Sequence, residues 1–378
     1  MINRDIVELI TKKLDDHKVI ILIGPRQVGK TTLLKNHFVN QQTLLLNGDD
    51  ADIRLKLANP TSTYLKQLMG NNSRLIIDEA QRIENIGLTL KILHDELPSV
   101  KVIATGSSSF ELANQLNEPL TGRKWQFKLW PISLEEMIAH QSLLEESRLL
   151  EHRLIYGWYP DVINNPGDEI DILKQLSDSY LYKDLLTWED IKKPQKLETL
   201  VQALAFQTGQ QVSYHELGQM VGLNNETVQR YIGLLEKAFI IFRLPSFSRN
   251  LRNELKKSRK IYFYDVGIRN AVIKNWNPPA LRQDIGSLWE NFLIVERLKH
   301  KSCSSFYTND YFWRNQAQQE IDFIEDYAGI IHAYEFKWNA KSRGKFSKSF
   351  TRAYPQHKLM VVNKDNYLEF IRNKNNDR

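Results

Sequence analysis

Lys30 and Thr31 close a glycine-bounded stretch, Gly24-Pro25-Arg26-Gln27-Val28-Gly29-Lys30-Thr31, and Asp78 and Glu79 stand side by side after a later apolar run, Leu75-Ile76-Ile77. Glycines at those two places let backbone N–H groups converge on phosphate oxygens, and a helix that starts at the loop's end adds its partial positive charge. In such a loop Lys30 reaches the β- and γ-phosphates of ATP and the Thr31 hydroxyl ligates Mg²⁺, so Gly24 through Thr32 is the candidate nucleotide-binding stretch. Asp78 at a strand end can hold the Mg²⁺ through water, and Glu79 can polarise the water that attacks the γ-phosphate. An apolar strand ending in two carboxylates is common; paired with the glycine loop it becomes a specific signal.

The elements that must position these residues are legible on both flanks. Val19-Ile20-Ile21-Leu22-Ile23 is an apolar β-branched run, and Thr31 to Phe38 continues as a helix. The distance from the loop to Asp78 accommodates the helix and strand of an α/β unit. The next strand, Val100 to Thr105, runs into Gly106-Ser107-Ser108-Ser109. There Thr105 and Ser107 either sense the γ-phosphate and orient water, or cap a helix near Phe110. Arg123, after Leu120-Thr121-Gly122, is either an arginine finger acting in cis or from a neighbouring subunit, or a surface residue.

A length of 378 residues suggests two or three domains, each with its own core. The net charge of +6, 51 basic minus 45 acidic residues, is compatible with nucleic acid without requiring it. The single cysteine, Cys303, rules out an internal disulfide, fits a reducing compartment and reads as a packing residue. There is no apolar run of about eighteen residues, so no membrane span is expected. The opening stretch MINRDIVELITKKL reads as a charged amphipathic helix and not a signal peptide, and a cytoplasmic protein is expected.

The segments GPRQVGKTTLL, LIIDEAQRI, ATGSSS, LTGRKWQFKLWPISLEE and KIYFYDVGIRNAV, in this order, resemble the bacterial and archaeal AAA-type ATPases that carry a C-terminal DUF4143 region. The resemblance covers nearly the whole chain. It implies an α/β fold in four parts: an AAA-like P-loop core with a parallel sheet over 1–132, a helical lid over 133–196, a winged helix over 197–275 and a small restriction-endonuclease-like α/β domain over 276–378. The aromatic residues of the lid, around Leu154-Ile155-Tyr156-Gly157-Trp158-Tyr159-Pro160, are expected to pack between lid and core.

The winged-helix reading has its own support. Ser213 with Glu216 forms a capping box, Gly222 fits a sharp turn, and Asn224 or Asn225 caps a second helix with Val228, Ile232, Leu235 and Ala238 on its apolar side. Phe239 to Leu244 and Lys260 to Asp265 would be wing strands, with Arg249, Arg252, Lys256, Lys257, Arg259 and Lys260 in the basic wing. Either this module places Thr227, Gln229 and Arg230 in a DNA groove with the wing on phosphates, or it serves a protein partner.

Near the end, strands on either side of Tyr327-Ala328-Gly329 read as a β-hairpin. Glu335 and Lys337 are two apart and share a face, and Asp322 on the first strand can lie beside them. Asp-x(12)-Glu-x-Lys resembles the PD-(D/E)XK nuclease core. That resemblance implies that Asp322 and Glu335, with Glu290 from the preceding helix, hold a second Mg²⁺ or a Mn²⁺ while Lys337 assists the attacking water. The ordinary alternative is an exposed ion pair on a hairpin. Three functions follow: an ATPase switch acting on a protein partner, an ATP-controlled nuclease, and a DNA-binding protein that does not cleave.

Overall fold

Val19–Ile23 forms strand β1, and all five of its residues are buried. It belongs to a parallel sheet of order β2-β3-β4-β1-β5, with β2 (Thr43–Asn47), β3 (Arg74–Asp78), β4 (Lys101–Gly106) and β5 (Lys124–Lys128). Parallel strands covered on both faces read as unbroken apolar runs, which is why β1, β3 and β4 stand out in the sequence while the edge strands β2 and β5 do not. Helices α1 (Ile6–Lys13), α2 (Lys30–His37), α3 (Ala51–Ala58), α4 (Ser62–Met69) and α5 (Ile86–Glu96) complete this part. This computed structural model describes residues 1–106, 119–178, 191, 193–248, 259–304 and 306–373. Contacts divide the chain into two units, Met1–Ile132 with Lys237–Phe239, and Ser133–Glu236 with Ile240–Arg378.

The second unit opens with α6 (Leu134–His140), α7 (Leu143–Tyr156), α8 (Pro160–Asn164) and α9 (Glu169–Asp178). A reciprocal capping box between Ser133 and Glu136 starts α6. The chain continues through α10 (Pro194–Phe206), β6 (Gln211–Val212), α11 (Tyr214–Val221), α12 (Asn225–Lys237), β7 (Ile241–Leu244) and β8 (Arg259–Phe263). The Ser213 hydroxyl accepts the Glu216 N–H at 3.3 Å to start α11. Gly222 ends α11 in the left-handed conformation (φ +66°) that only glycine adopts freely, and Asn224 Oδ1 then accepts the Thr227 N–H at 2.8 Å to start α12. Strands β6, β8 and β7 form a small antiparallel sheet.

Helix α13 (Val266–Val272) is tied to the end of α7 by buried polar groups. Asp265 caps α13 by accepting the Ile268 N–H at 3.1 Å and also accepts the Trp158 N–H at 2.8 Å, while Asn270 Nδ2 donates to the carbonyls of Leu154 and Ile155 at 3.0 and 2.8 Å. Trp158 is buried within this unit, stacked 6.1 Å from Phe292.

Helix α14 (Ile285–Cys303) leads into β9 (Asn309–Arg314), β10 (Glu320–Tyr327), β11 (Ile330–Phe336), α15 (Lys348–Ala353), β12 (His357–Val362) and α16 (Tyr367–Arg372). The sheet order is β12-β11-β10-β9, with only the β11–β12 pair parallel. The hairpin turn is Ala328-Gly329, both at positive φ (+51° and +82°), the twist a two-residue loop requires. One sheet face buries Ile321, Ile324, Ile331 and Ala333 against Phe247, Phe350 and Tyr354; Phe323, Tyr334 and Phe336 surround Phe370. Ahead of β8, the chain after β7 is stitched to β9: Phe247 N–H donates to the Phe312 carbonyl at 2.6 Å, and Phe312 N–H donates to that of Pro245 at 3.0 Å. Among the described residues, no helix is long and apolar enough to cross a membrane.

Candidate functional site

In the first unit the loop after β1 and the ends of β3 and β4 lie at the carboxyl edge of the sheet, the edge where open α/β sheets bind ligands. Gly24 runs so close to β5 that a Cβ would meet the Leu129 carbonyl oxygen at 2.2 Å, and Gly29, at φ +92°, turns the chain into α2. Arg4 braces the loop from behind, donating to the carbonyls of Val28 at 3.0 Å and Trp130 at 2.6 Å. Lys30 is buried, its ammonium donating to the carbonyls of Gly24 (2.9 Å) and Pro25 (2.7 Å). Arg26 is half-buried, and Gln27 and Thr32 are exposed.

Asp78 links the loop to the sheet. Its Oδ2 accepts the Thr31 hydroxyl at 2.6 Å, and its Oδ1 accepts the hydroxyl of buried Thr105. Thr105 Oγ1 in turn accepts the Glu79 N–H at 3.2 Å, so Thr105 orients the acidic pair. Glu79 stands at φ +49°, a left-handed conformation that is uncommon for a side-chain-bearing residue and clusters at functional sites. Its Oε2 accepts the Gln81 amide at 2.6 Å. Gln81 was not singled out from the sequence; it lies two residues beyond Glu79 across a tight turn, where no periodicity marks it. Ser107 lies outside the described residues.

Arg123 is not brought to this centre. It immediately precedes β5 and its carbonyl accepts the Val19 N–H at 3.0 Å, so it sits at the amino edge of the sheet, while the loop leaves β1 at Ile23. Four residue-to-residue steps along β1, from Val19 to Ile23, separate those edges by about 13 Å. Its guanidinium pairs with Asp95 at 2.9 Å. An arginine finger acting in cis is therefore ruled out by position.

The second unit gathers the late polar residues. Asp322 sits where β10 carries one extra residue against β9: Ile321 faces Trp313, but Ile324 faces Tyr311. Such bulges re-aim side chains and are frequent beside active sites. Asp322 Oδ2 accepts the Phe336 N–H at 2.7 Å, and Glu335 accepts the Lys337 ammonium at 2.6 Å. Glu290, on α14, accepts the Tyr262 hydroxyl at 2.5 Å and the Lys260 ammonium at 2.9 Å; the same ammonium reaches Glu320 at 2.6 Å. Burial lifts the Glu290 carboxyl to about 7, with the Asp322 charge adding to the rise against the pull of Lys260. Burial likewise raises the Asp322 and Glu335 carboxyls. Burial works against the Lys260 ammonium, yet Glu290, Asp322 and Glu320 together hold it above the usual lysine range.

The basic-wing reading of Lys260 is corrected here: the side chain is fully buried among carboxylates and does not face phosphates. Arg249, Arg252, Lys256 and Lys257 lie outside the described residues. As the side chains stand, the described residues contain no group of three or more acidic, histidine or cysteine side chains arranged to hold a metal ion. Glu290 and Glu320 turn to Lys260, and Glu335 turns to Lys337. Glu320 is two residues before Asp322 on β10, so the strand period carried a signal for it; Lys260 was masked by the basic residues beside it in sequence.

A parallel sheet with a glycine loop after a buried strand, and a threonine–aspartate bond at its foot, defines the P-loop ATPase fold. Residues 16–138 match the AAA domain family, residues 147–278 match DUF8612, and residues 285–376 match DUF4143, the latter two being domains of unknown function. The chain joins an AAA domain of P-loop fold to a C-terminal DUF4143 region. An uncharacterised protein of Mycobacterium tuberculosis is 24% identical over 339 residues, covering 88% of this chain and 73% of its own. One from Haemophilus influenzae is 26% identical over 349 residues, covering 86% and 84%. The Walker-type ATPase PABY2304 of Pyrococcus abyssi shares the fold at a TM-score of 0.50 and 14% identity, over 72% of this chain and 96% of its own.

Proposed function

We propose that this protein binds ATP with Mg²⁺ in the loop from Gly24 to Thr32 and hydrolyses it. The observation that carries this reading is the 2.6 Å bond between the Thr31 hydroxyl and Asp78: the two oxygen groups that would hold Mg²⁺ already face each other at the foot of the loop. The donor set is hard oxygen, which suits that ion. Bound Mg²⁺ would neutralise phosphate charge. Lys30 exchanges its two carbonyl partners for the β- and γ-phosphates, and the N–H groups from Val28 to Thr31 cradle the anion. Glu79, held by Gln81, takes the proton of the attacking water. Phosphate release should stop in Lys30→Ala with loss of nucleotide binding. Glu79→Gln should keep binding and lose at least about 100-fold in turnover. Unchanged turnover in Glu79→Gln would sink this assignment.

In this reading the nucleotide state of the 1–132 core is relayed through the 133–196 lid to the 197–275 winged helix and the 276–378 domain, which act on DNA or on a protein partner. Arg123 retains a role only if it acts in trans, from a second copy. A second reading is favoured by the bulge that turns Asp322 toward Glu335 and Lys337. Asp322, Glu335 and Glu290 would hold a second Mg²⁺ or a Mn²⁺, and Lys337 would assist hydrolysis of a phosphodiester in DNA. Incubation with linear, single-stranded and branched DNA in Mg²⁺ or Mn²⁺, with and without ATP, tests it. Cutting lost in Asp322→Ala supports the nuclease. Salt-sensitive binding without cutting supports a non-cleaving module using the exposed Gln229 and Arg230 of α12. Neither would leave a switch acting on a protein.

A further inference from the structure

The acidic centre of the second unit is built from three elements that are far apart in sequence. Glu290 comes from α14, Glu320 and Asp322 from β10, and Lys260 from β8. The Lys260 side chain is 0% exposed. Its ammonium donates to Glu290 at 2.9 Å and pairs with Glu320 at 2.6 Å, and its charge also acts on Asp322. Among the described residues, Arg314 also lies 3.5 Å from Glu320, and Lys337, paired with Glu335 at 2.6 Å, acts through its charge on Asp322 and Glu290.

We propose that Lys260 is the resident cation of this centre and that a divalent metal enters only when its ammonium leaves. The proposal rests on the reading of Asp322 and Glu290 as metal-holding residues. A metal bound to a Glu290 oxygen at the usual 2.0–2.6 Å would meet an ammonium bonded to that same oxygen, and two cations cannot share it without strong repulsion. Lys260 is presented by β8 and its carboxylate partners by α14 and β10, so the proposed withdrawal of its side chain moves none of the elements that carry them. When it does, Glu320 keeps Arg314 as a counter-charge, while Glu290 and Asp322 lose the Lys260 charge and keep only the more distant one of Lys337. That is the state in which an outside divalent ion is favoured.

The test uses the full-length protein without nucleotide. Mn²⁺ binding is followed by the electron paramagnetic resonance signal of the free ion, in the native chain, Lys260→Met, and Lys260→Met with Asp322→Asn. Amine acylation of Lys260 is read in parallel by peptide mass spectrometry on the native chain. Lys260→Met should bind Mn²⁺ at least tenfold more tightly than the native chain, and the added Asp322→Asn should abolish the gain. In the native chain, Lys260 should resist acylation until Mn²⁺ is raised high enough to fill the Asp322-dependent site. Equal, Asp322-dependent Mn²⁺ binding with and without Lys260 overturns the proposal and leaves the metal reading intact. No Asp322-dependent binding in any variant overturns both. Should Lys260→Met fail to fold, the acylation decides alone: a Lys260 that stays protected while Asp322-dependent Mn²⁺ binds, or a chain that binds none, overturns the proposal.

Discussion

Glu79 carries two marks of a working residue, a left-handed backbone and a side chain fastened by Gln81 at 2.6 Å. The strain of such a backbone is sustained by its surroundings, here the Thr105 hydroxyl on the Glu79 N–H. Gln81 meets the centre through the Glu79 carboxylate, which makes it a positioning residue in this reading. Gln81→Ala should lower kcat by about tenfold and leave KM for ATP nearly unchanged, as measured by phosphate release. An equal change in KM would instead place Gln81 in nucleotide binding. Thr105→Ala should cost more, because it removes one partner from both Asp78 and the Glu79 N–H. At this scale the sequence was most informative where chemistry and local structure coincide: the loop, Asp78 and Glu79 are contiguous with the strands that present them. Arg123 shows the opposite case. A Thr-Gly-Arg turn looks the same whichever edge of a sheet it occupies, and only the parallel register of β1 with β5 reveals that it lies at the wrong one.

At the scale of elements, α14 binds the C-terminal sheet through buried charge as well as apolar packing. Arg297 and Glu325 are both fully buried and joined at 2.8 Å through two oxygens, with Lys301 adding a third contact to Glu325 at 3.1 Å. Removing one partner leaves the other uncompensated in a low-dielectric interior. Arg297→Ala should therefore destabilise the second unit by roughly 3–5 kcal/mol, read as a lower urea midpoint. The ordinary surface pair of Lys174 with Asp171 should contribute under about 1 kcal/mol by the same measurement. None of the buried pairs was legible beforehand. Sequence periodicity shows which residues face a core, but Glu296, Arg297 and Lys299 are charged residues on a helix that also faces one: Arg297 meets Glu325 in a strand that follows, while Glu296 pairs with Lys299 at 2.6 Å and takes the N–H of Leu134, far upstream.

At the scale of the molecule, these carboxylates set opposite limits on stability. The pair with Arg297 and the Lys301 charge hold Glu325 down to about 2 against the effect of burial. A depressed carboxyl contributes stability that is complete above its unfolded value, about 4.5, and is lost as pH falls towards 2. Glu290 behaves in the reverse sense: lifted to about 7, its contribution is complete below about 4.5 and is lost as pH rises through 7. The second unit should accordingly be most resistant to urea at mildly acidic pH. Glu325→Gln should flatten the acid limb and Glu290→Gln the alkaline one.

The stitch between Pro245–Phe247 and Phe312 bears on how this protein can be taken apart. The stretch matched as DUF4143 begins at residue 285, forty residues after the segment that covers the outer edge of β9. A fragment cut at that boundary would present β9 as a bare edge strand and Glu290 and Glu320 without their lysine, an invitation to strand-to-strand aggregation. A fragment starting at Ser133 keeps both. Family boundaries drawn from sequence similarity are thus poor places to cut this chain for expression, and the piece from Ser133 onward that keeps this sheet in its compact unit is more than twice as long as the DUF4143 region.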